Sequence, residues 1–372
     1  MDGRTDGPTS PAASALLTRE SPAHQPAMPP VPADRDPSLA DEILSHLGVT
    51  EKTAAWGTLG TVRPFLAFSV DSDVQRLLGA IKGQGVDQGT IVDVLTNRTT
   101  EQRLHVAQTF QDRTQQDLLR SLEAALSGSL EKAVVALLKP AAQFDAHELR
   151  VALKAPGAAQ DTAVEILATR PLPRLRQCLA FYEHDFQVEA ADDVRSEVDS
   201  PLRELLLALA EGGRESYSGV IDYNLMRQDA QELHENEQLD PDGGWIHLFT
   251  QRSTEHLNRV FDQYKGLSGQ EVEDTIRDRF QGDAQVTLLS LASVIRNTPL
   301  YFANKLHQAL QGPEPDHGVL SRVLISRCET DLLSVRAAFR KKFGKSLYSS
   351  LQESVSGACL PALLALCGGE DF

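Results

Sequence analysis

The sequence contains four copies of one pattern, and each copy is centred on an arginine. Each arginine ends a mostly apolar segment, and an aromatic residue follows it twelve positions later. The four arginines are Arg98, Arg170, Arg252 and Arg327, and the aromatic residues are Phe110, Tyr182, Tyr264 and Phe339. Subtraction places the arginines 72, 82 and 75 positions apart. Because a repeat of this length must be one supersecondary unit packed on its neighbours, the sequence predicts four modules.

The apolar residues within each copy have helical spacing. They recur every three or four positions, as at Leu118, Leu122 and Leu126, and this period marks one face of a helix. No stretch shows the sustained alternation that indicates a strand, and glycine and proline cluster between the apolar runs. The sequence therefore predicts an all-α fold in which every module contains several helices.

Charge and composition narrow the range of partners. The formal net charge of −16 argues against nucleic-acid binding and against direct adsorption on an anionic bilayer, because both favour basic surfaces. A divalent cation is the expected bridge if the chain meets such a membrane. The sequence shows no transmembrane run and no signal-peptide pattern, so we expect a cytoplasmic protein. The four cysteines form no C-x-x-C pair and are expected to be core thiols in a reducing compartment.

The first part of the chain differs in composition from the rest. Residues 1–37 hold eight of the nineteen prolines, and such a segment cannot bury enough apolar surface to offset its ordering entropy. A disordered Pro/Ala-rich tail is therefore predicted there. A short helix that begins after Ser38, followed by a lead-in segment, is predicted over residues 38–69.

One loop of the first copy carries a recognisable motif. The segment Ile81-Lys-Gly-Gln-Gly-Val-Asp87 and the ending Phe343-Gly-Lys-Ser-Leu-Tyr348 resemble the annexin family over roughly residues 55 to 372. The resemblance implies a curved disc of four repeats of about five helices each. The repeats are predicted to span residues 70–140, 141–213, 214–297 and 298–372. It further implies calcium ions in loops that bridge the protein to phospholipid head groups.

Calcium takes six to eight oxygen ligands, and glycines let backbone carbonyls converge on one ion. By resemblance, the ligand positions that remain are Ile81, Gly83 and Gly85 in the first copy, and Leu153, Gly157 and Glu197 in the second. The acidic position of the motif lies 27 residues after each arginine. It is retained only as Glu197, because Ala125, Arg279 and Ser354 occupy it in the other copies.

None of the four sites is complete. The second loop carries Ala155 and Pro156, and Leu239 takes a glycine position in the third. Placing Arg279 about 4 Å from a cation would cost on the order of 4 kcal/mol per unit charge at an effective dielectric of 20. At most weak or vestigial calcium sites are therefore expected, and the favoured interpretation of all four copies is surface acids with no ion at resting calcium. Two alternatives stay open, a substitute acid at Glu123 in the first copy and an irregular acidic cluster in the fourth. That cluster would comprise Glu314, Asp316 and Glu353.

Charged residues also fall inside apolar helices. Glu165 and Arg322 occupy the same position of their repeats, and the family resemblance suggests that they form a pair at the centre of the disc. It also suggests that Arg170 lies close to Asp145 or Glu148. Two readings remain, an ion path and buried ion pairs that fix how two halves dock. The second is favoured because a lone buried charge is costly.

The resemblance leaves two functions to distinguish. The first is an annexin-type peripheral protein that binds anionic phospholipid, with calcium dependence weakened or lost. The second is a soluble interaction or receptor-like scaffold with no membrane role of its own. No motif supports a catalytic site, an organic cofactor or nucleic-acid binding, so no enzyme activity is expected. A protein partner and a homo-oligomer remain open.

Overall fold

The fold was analysed in a computed structural model that describes residues 59–83, 85–155, 160–199, 202–215, 217–235 and 244–370. Within those ranges the chain forms nineteen helices and no strand. The all-α prediction is therefore confirmed. The tail predicted for residues 1–37 and the helix predicted after Ser38 lie outside the described residues.

The helices of the first two repeats follow one order. In the first repeat they are α1 (Val70–Lys82), α2 (Gln88–Thr96), α3 (Thr100–Thr114), α4 (Leu118–Ala125) and α5 (Gly128–Leu138). In the second they are α6 (Ala141–Lys154), α7 (Gln160–Thr169), α8 (Leu172–Phe186), α9 (Ala190–Glu197) and α10 (Leu202–Glu211).

The third and fourth repeats share one long helix. The third contains α11 (Tyr223–Glu235), α12 (Gly244–Gln251), α13 (Thr254–Ser268), α14 (Val272–Arg279) and the first half of α15 (Gly282–Leu310). The second half of α15 opens the fourth repeat, which continues with α16 (His317–Arg327), α17 (Leu332–Phe343), α18 (Leu347–Ser354) and α19 (Leu360–Cys367).

A kink divides α15 between the two repeats. Asn297 has non-helical dihedral angles (φ −164°, ψ 94°), and its side-chain oxygen accepts a hydrogen bond from the Leu300 amide at 2.9 Å. Pro299 lies in the first turn of the second half of α15. Amides in a first turn have no acceptor within the helix, so a proline, which lacks the N–H, is tolerated there. Counting the two halves separately gives five helical segments in each repeat.

Local sequence signals set several helix starts. The side chains of Ser69, Asp87 and Asp117 cap α1, α2 and α4, and Thr99 forms a reciprocal capping box with Gln102 at the start of α3. These contacts satisfy amides that would otherwise lack a partner in the first turn.

The apolar faces bury themselves in two separate clusters. One joins the first repeat to the fourth, with Leu77, Phe110 and Phe339 among its fully buried members. The other joins the second repeat to the third, and its members include Trp245 and Phe261. Burying a large apolar side chain contributes about 1.5–3 kcal/mol. The clusters therefore hold the repeats together in pairs, 1 with 4 and 2 with 3.

The lead-in segment packs on the fourth repeat. The Val62 amide donates to the Cys328 carbonyl at 3.0 Å, and the Thr61 hydroxyl donates to the Leu366 carbonyl at 2.6 Å. A Cβ added at Gly60 would lie only 2.7 Å from the Cys328 carbonyl oxygen, so this close approach requires glycine.

Candidate functional site

The first loop keeps its glycines but places no carboxylate at the acidic position. Helix α1 ends at Lys82, Gly83 caps it, and Gly85 has a φ of +142°, which strains any other residue. Asp87 caps α2 by accepting hydrogen bonds from the Thr90 amide at 3.0 Å and hydroxyl at 2.8 Å. The acidic position is the last residue of α4, where Ala125 offers no ligand.

In the second loop, a lysine side chain contacts the acidic position. Lys154 ends α6 and Glu197 ends α9. The Lys154 ammonium lies 2.7 Å from Glu197 Oε1 and 2.8 Å from Asp193 Oδ1. The hydrogen bond from Lys154, and then its charge, lower the pKa of the exposed Glu197 carboxyl. The one retained acid is thus already neutralised by a neighbouring side chain.

Asp193 extends this arrangement into the interior. It is buried, and its Oδ2 accepts hydrogen bonds from Arg150 and from the Tyr182 hydroxyl. Burial raises the pKa of Tyr182 to about 12. Two cations and two carboxylates alternate here, which leaves little net charge to attract calcium. Leu153 is buried next to them, and Gly157 lies outside the described residues.

The third and fourth loops depart further from the motif. Arg279 ends α14 at the third acidic position and is partly buried, while Leu239 lies outside the described residues. At the fourth position Ser354 is exposed at the end of α18. The Asp316 amide donates to the Ala309 carbonyl at 2.9 Å, which matches the Asp87-to-Ala80 bond of 3.0 Å in the first loop.

The irregular acidic cluster that the sequence left open in the fourth copy does not come together. Among the described residues, no group of three or more His, Cys, Asp or Glu side chains could hold a metal ion. Two of the three acids have other roles, since Asp316 caps α16 through the Val319 amide and Glu353 forms an ion pair with Lys345. The alternative of an irregular site at Glu314, Asp316 and Glu353 is therefore not supported, because helix capping and a local ion pair take up two of its three carboxylates.

Three of the four repeated arginines form ion pairs with the first helix of their repeats, and Arg98 and Arg170 are buried there. Arg98 contacts Asp73 at 2.6 and 2.9 Å, and Arg170 contacts Asp145 at 3.1 and 2.9 Å. In the third repeat, Arg252 contacts Asp229 at 2.8 and 3.2 Å. Two hydrogen bonds from one planar guanidinium fix the relative position of the two helices that carry them.

The fourth repeat uses a different partner. Arg327 pairs with Asp331, four residues later, and its guanidinium carbon lies 4.6 Å from the centre of the Phe302 ring. Phe302 lies 25 residues before the arginine, which is the spacing of Asp73 and Asp145 in the first two repeats. An aromatic face thus replaces the carboxylate, and the acid has moved to the helix start.

Asp145 lies between two arginines in the second repeat. Arg174 adds a contact of 2.6 Å to those made by Arg170. Burial alone would raise the pKa of the Asp145 carboxyl, but the charges and hydrogen bonds of Arg170 and Arg174 outweigh burial and lower this pKa below its ordinary value. This carboxylate is therefore ionised in the folded protein at neutral pH.

Glu165 and Arg322 lie in direct contact between the second and fourth repeats. Glu165 is fully buried, and its Oε1 accepts a hydrogen bond from Arg322 Nη1. Arg322 Nε lies 3.7 Å from Glu148 Oε2. Burial lowers the pKa of Arg322, but the charge and hydrogen bond of Glu165 and the charge of Glu148 together outweigh burial and raise this pKa. At Glu148, burial raises the pKa of the carboxyl. Arg170 pairs with Asp145 rather than with Glu148.

A second charged pair runs beside the first. Lys305 forms an ion pair with Asp161, which also accepts a hydrogen bond from Ser290 Oγ at 2.9 Å. The Lys305 ammonium lies 4.0 Å from Glu165 Oε2. These contacts link the fourth repeat to the second and, through Asp161, to Ser290 of the third. Ion pairs and hydrogen bonds therefore connect the half formed by repeats 1 and 4 with the half formed by repeats 2 and 3.

Sequence reasoning missed several of these partners. It did not predict the Lys154 contact, which depends on how the ends of α6 and α9 face each other. It also missed Asp73, although the recurrence of aspartate 25 positions before two of the arginines could have found it. The four cysteines form no disulfide bond and are buried, as expected of core thiols.

A family model described as "Annexin" matches the chain in four segments, residues 72–137, 144–209, 228–291 and 301–366. The chain belongs to the annexin family. Calcium and phospholipid binding are typical of this family. No helix in the described part of this annexin has the length and apolar character needed to cross a membrane.

Known annexins resemble the whole repeat region. Proteins named annexin A9 from Homo sapiens and Mus musculus are each 66% identical to this annexin, and each match covers 90% of this chain and 97% of the relative. A solved structure of annexin III has a TM-score of 0.81 at 34% identity, covering 86% of this chain and 100% of the other. Chicken annexin V in complex with Zn²⁺ gives a TM-score of 0.77 at 37% identity, covering 84% and 99%.

Proposed function

We propose that this annexin is a peripheral phospholipid-binding protein whose calcium-dependent membrane binding is weakened or lost. The observation that carries the proposal is the position of Lys154, whose ammonium lies 2.7 Å from the only retained acid, Glu197. Residual lipid association would then be weak and would depend little on calcium.

The electrostatics of the second loop support this proposal. A calcium ion at Glu197 would lie within a few ångströms of the Lys154 ammonium, and two like charges at such a distance repel strongly. Lys154 would have to leave two carboxylates before calcium could gain them. Since the ammonium already neutralises these acids, calcium binding becomes an exchange of one cation for another, and its net gain is small.

The other loops offer calcium even less. Ala125, Arg279 and Ser354 stand where a carboxylate would supply two oxygens and a full negative charge. Glu123 is exposed near the first position, but it faces Lys139 closely enough to affect the pKa of that lysine. Calcium affinity at each loop is therefore expected to fall below that of a loop with glycines and acid both present.

Co-sedimentation with phosphatidylserine vesicles tests the proposal. The full chain is incubated with the vesicles in chelator and in about millimolar calcium, a level that suits weak extracellular-type sites. We expect a small bound fraction that changes little between the two conditions. Binding that occurs only with calcium would contradict the proposal.

A pair of variants isolates the role of Lys154. In Lys154→Ala, Glu197 loses its ammonium partner while Asp193 keeps its contacts with Arg150 and Tyr182. The freed Glu197 carboxylate should raise calcium-dependent sedimentation several-fold. Lys82→Ala is the matched control, because Lys82 holds the same position in the first loop, where the acidic position is Ala125. The control should gain no calcium response. Equal behaviour of both variants would show that the altered loop backbone, rather than the ammonium, is the main defect.

The second candidate function is a soluble interaction scaffold. The net charge of −16 favours it, because an acidic surface without a bridging cation is repelled by anionic lipid. Absence of vesicle binding in both conditions would favour this function over the first.

A further inference from the structure

Three ionisable side chains lie in a row where the first and second repeats meet. Lys139 follows α5, His147 lies on α6, and Asp185 lies near the end of α8. The Lys139 ammonium nitrogen is 3.1 Å from His147 Nδ1, and His147 Nε2 is 2.9 Å from Asp185 Oδ2. Neither the calcium loops nor the central ion pairs involve these contacts.

Asp185 determines which imidazole nitrogen carries the proton. Its carboxylate accepts hydrogen bonds from Gln143 Nε2 at 2.8 Å and contacts His184 Nδ1 at 2.8 Å. Partial burial opposes ionisation, but the hydrogen bonds from Gln143, His184 and His147 prevail and lower the pKa of Asp185 to about 2. Because the carboxylate can only accept, His147 Nε2 must donate to it. His147 Nδ1 is then left as the acceptor that faces Lys139.

The surroundings of Lys139 increase the fraction of its neutral amine. The side chain is partly buried, and this burial lowers the pKa of Lys139 despite the charges of Glu123, Glu148 and Asp185, which act in the opposite direction. A neutral lysine amine is a nucleophile, whereas the ammonium ion is not. Lys139 therefore combines an increased amine fraction with an imidazole acceptor in hydrogen-bond contact.

We propose that Lys139 is a self-acylating lysine that accepts an acyl group from an acyl thioester. The amine nitrogen attacks the thioester carbonyl and forms a C–N bond. His147 Nδ1 takes the proton that the nitrogen loses, and the C–S bond breaks to release a thiolate. The thiolate then receives that proton to leave as a thiol. No oxidant or metal is required, and Asp185 is a positioning residue that stabilises the imidazolium.

The fold does not require this set of side chains. In the first repeat, Gln75 and Arg113 occupy the positions of His147 and Asp185, at the same distances from the repeat arginine. That repeat forms the same helices without an imidazole or a carboxylate at these positions. The row is therefore specific to the second repeat rather than a general need of the packing.

The test is a competition between two lysines of one molecule. The full-length protein is incubated with acetyl-coenzyme A at pH 7, and peptide mass spectrometry follows acetylation of Lys139 and Lys132. Lys132 is exposed on α5 and serves as the internal reference. A general base contributes about 10²–10⁴-fold to such a step, so Lys139 should react at least about tenfold faster despite its partial burial. Equal or slower labelling of Lys139 would overturn the proposal.

Variants and pH distinguish this chemistry from simple accessibility. His147→Gln keeps a hydrogen-bonding side chain but removes the base, and it should bring the Lys139 rate to within about twofold of Lys132. Asp185→Asn should lower the rate less, because the base remains. The ratio of the two rates in the wild type should fall as the pH approaches the ordinary lysine value of about 10.4, since Lys132 then also becomes neutral. The mechanism is refuted if the ratio of the Lys139 rate to the Lys132 rate is unchanged in His147→Gln. It is also refuted if this ratio is constant across pH in the wild type, a measurement that needs no variant.

Discussion

Replacing Arg322 should be among the most damaging single changes in this annexin. Glu165 is fully buried, and its Oε1 loses its hydrogen-bond donor in Arg322→Met. Its Oε2 has no hydrogen-bond partner in the described part of the chain, and the nearest remaining cation is Lys305 at 4.0 Å. Removing one member of a buried ion pair costs about 3–5 kcal/mol. Lys305 is already paired with Asp161, so it can offset only part of that loss.

The double variant separates charge burial from packing. Glu165→Leu with Arg322→Met removes both charges, and replacing a buried pair by hydrophobic side chains of similar volume is often close to neutral. We therefore expect the double variant to lose less than about 2 kcal/mol, less than either single variant. Urea unfolding followed by circular dichroism measures each free energy of unfolding.

An exposed pair provides the reference for these values. Arg277 and Asp274 lie three residues apart on α14 with more than half of each side chain exposed, and such pairs contribute about 0–1 kcal/mol. If Arg322→Met costs no more than Arg277→Ala, or if the double variant costs the sum of its singles, the pair does not join the two halves as argued.

Three further predictions concern other parts of the fold. Because the pKa of Asp145 is lowered from 3.8, its stabilising effect is present above that value and is lost as the pH falls below it. The stability gap between wild type and Asp145→Asn in urea should therefore narrow between pH 7 and about 3, and a constant gap would contradict this. Burial raises the pKa of Cys178 and Cys328 to about 12, so a disulfide reagent at pH 8 should label them only after unfolding, and fast labelling in buffer would show the thiols to be open. Gly60→Ala should lower the free energy of unfolding by about 1–3 kcal/mol, since its Cβ would lie 2.7 Å from a backbone oxygen. A Cβ added at Gly79, on α1, meets nothing within 4 Å, so Gly79→Ala should raise the free energy of unfolding by about 0.5–1 kcal/mol. Equal effects of Gly60→Ala and Gly79→Ala would show that the backbone does not approach Gly60 this closely.

The sequence predicted the fold because its strongest signals are local and repeated. Helical spacing and an arginine at one position recur in each copy, and the structure forms all-α repeats from them. The partner of Arg170 was narrowed to two acids, and the structure brings it together with Asp145. Such pairs follow from spacing within one repeat.

Contacts between helix ends were harder to predict. The Lys154 contact joins residues 43 positions apart across the ends of two helices, and no periodicity signals it. Asp316 and Glu353 were considered for an irregular metal site, but they cap a helix and form an ion pair, and these roles depend on side-chain direction. Sequence position alone does not determine that direction. The loop positions Gly157 and Leu239 stay predictions, as do the repeat boundaries.

The Arg327–Asp331 pair means that the four repeats are not interchangeable parts. Arg174 stands in the second repeat at the position that Asp331 has in the fourth. A chimera with the second and third helices of the fourth repeat placed in the second would set two carboxylates, Asp145 and Asp331, against one guanidinium. The reverse exchange would bring two guanidiniums to Phe302 with no acid between them. Although the copies share one helix order, the second and fourth repeats cannot exchange these helices without a mismatch of charge.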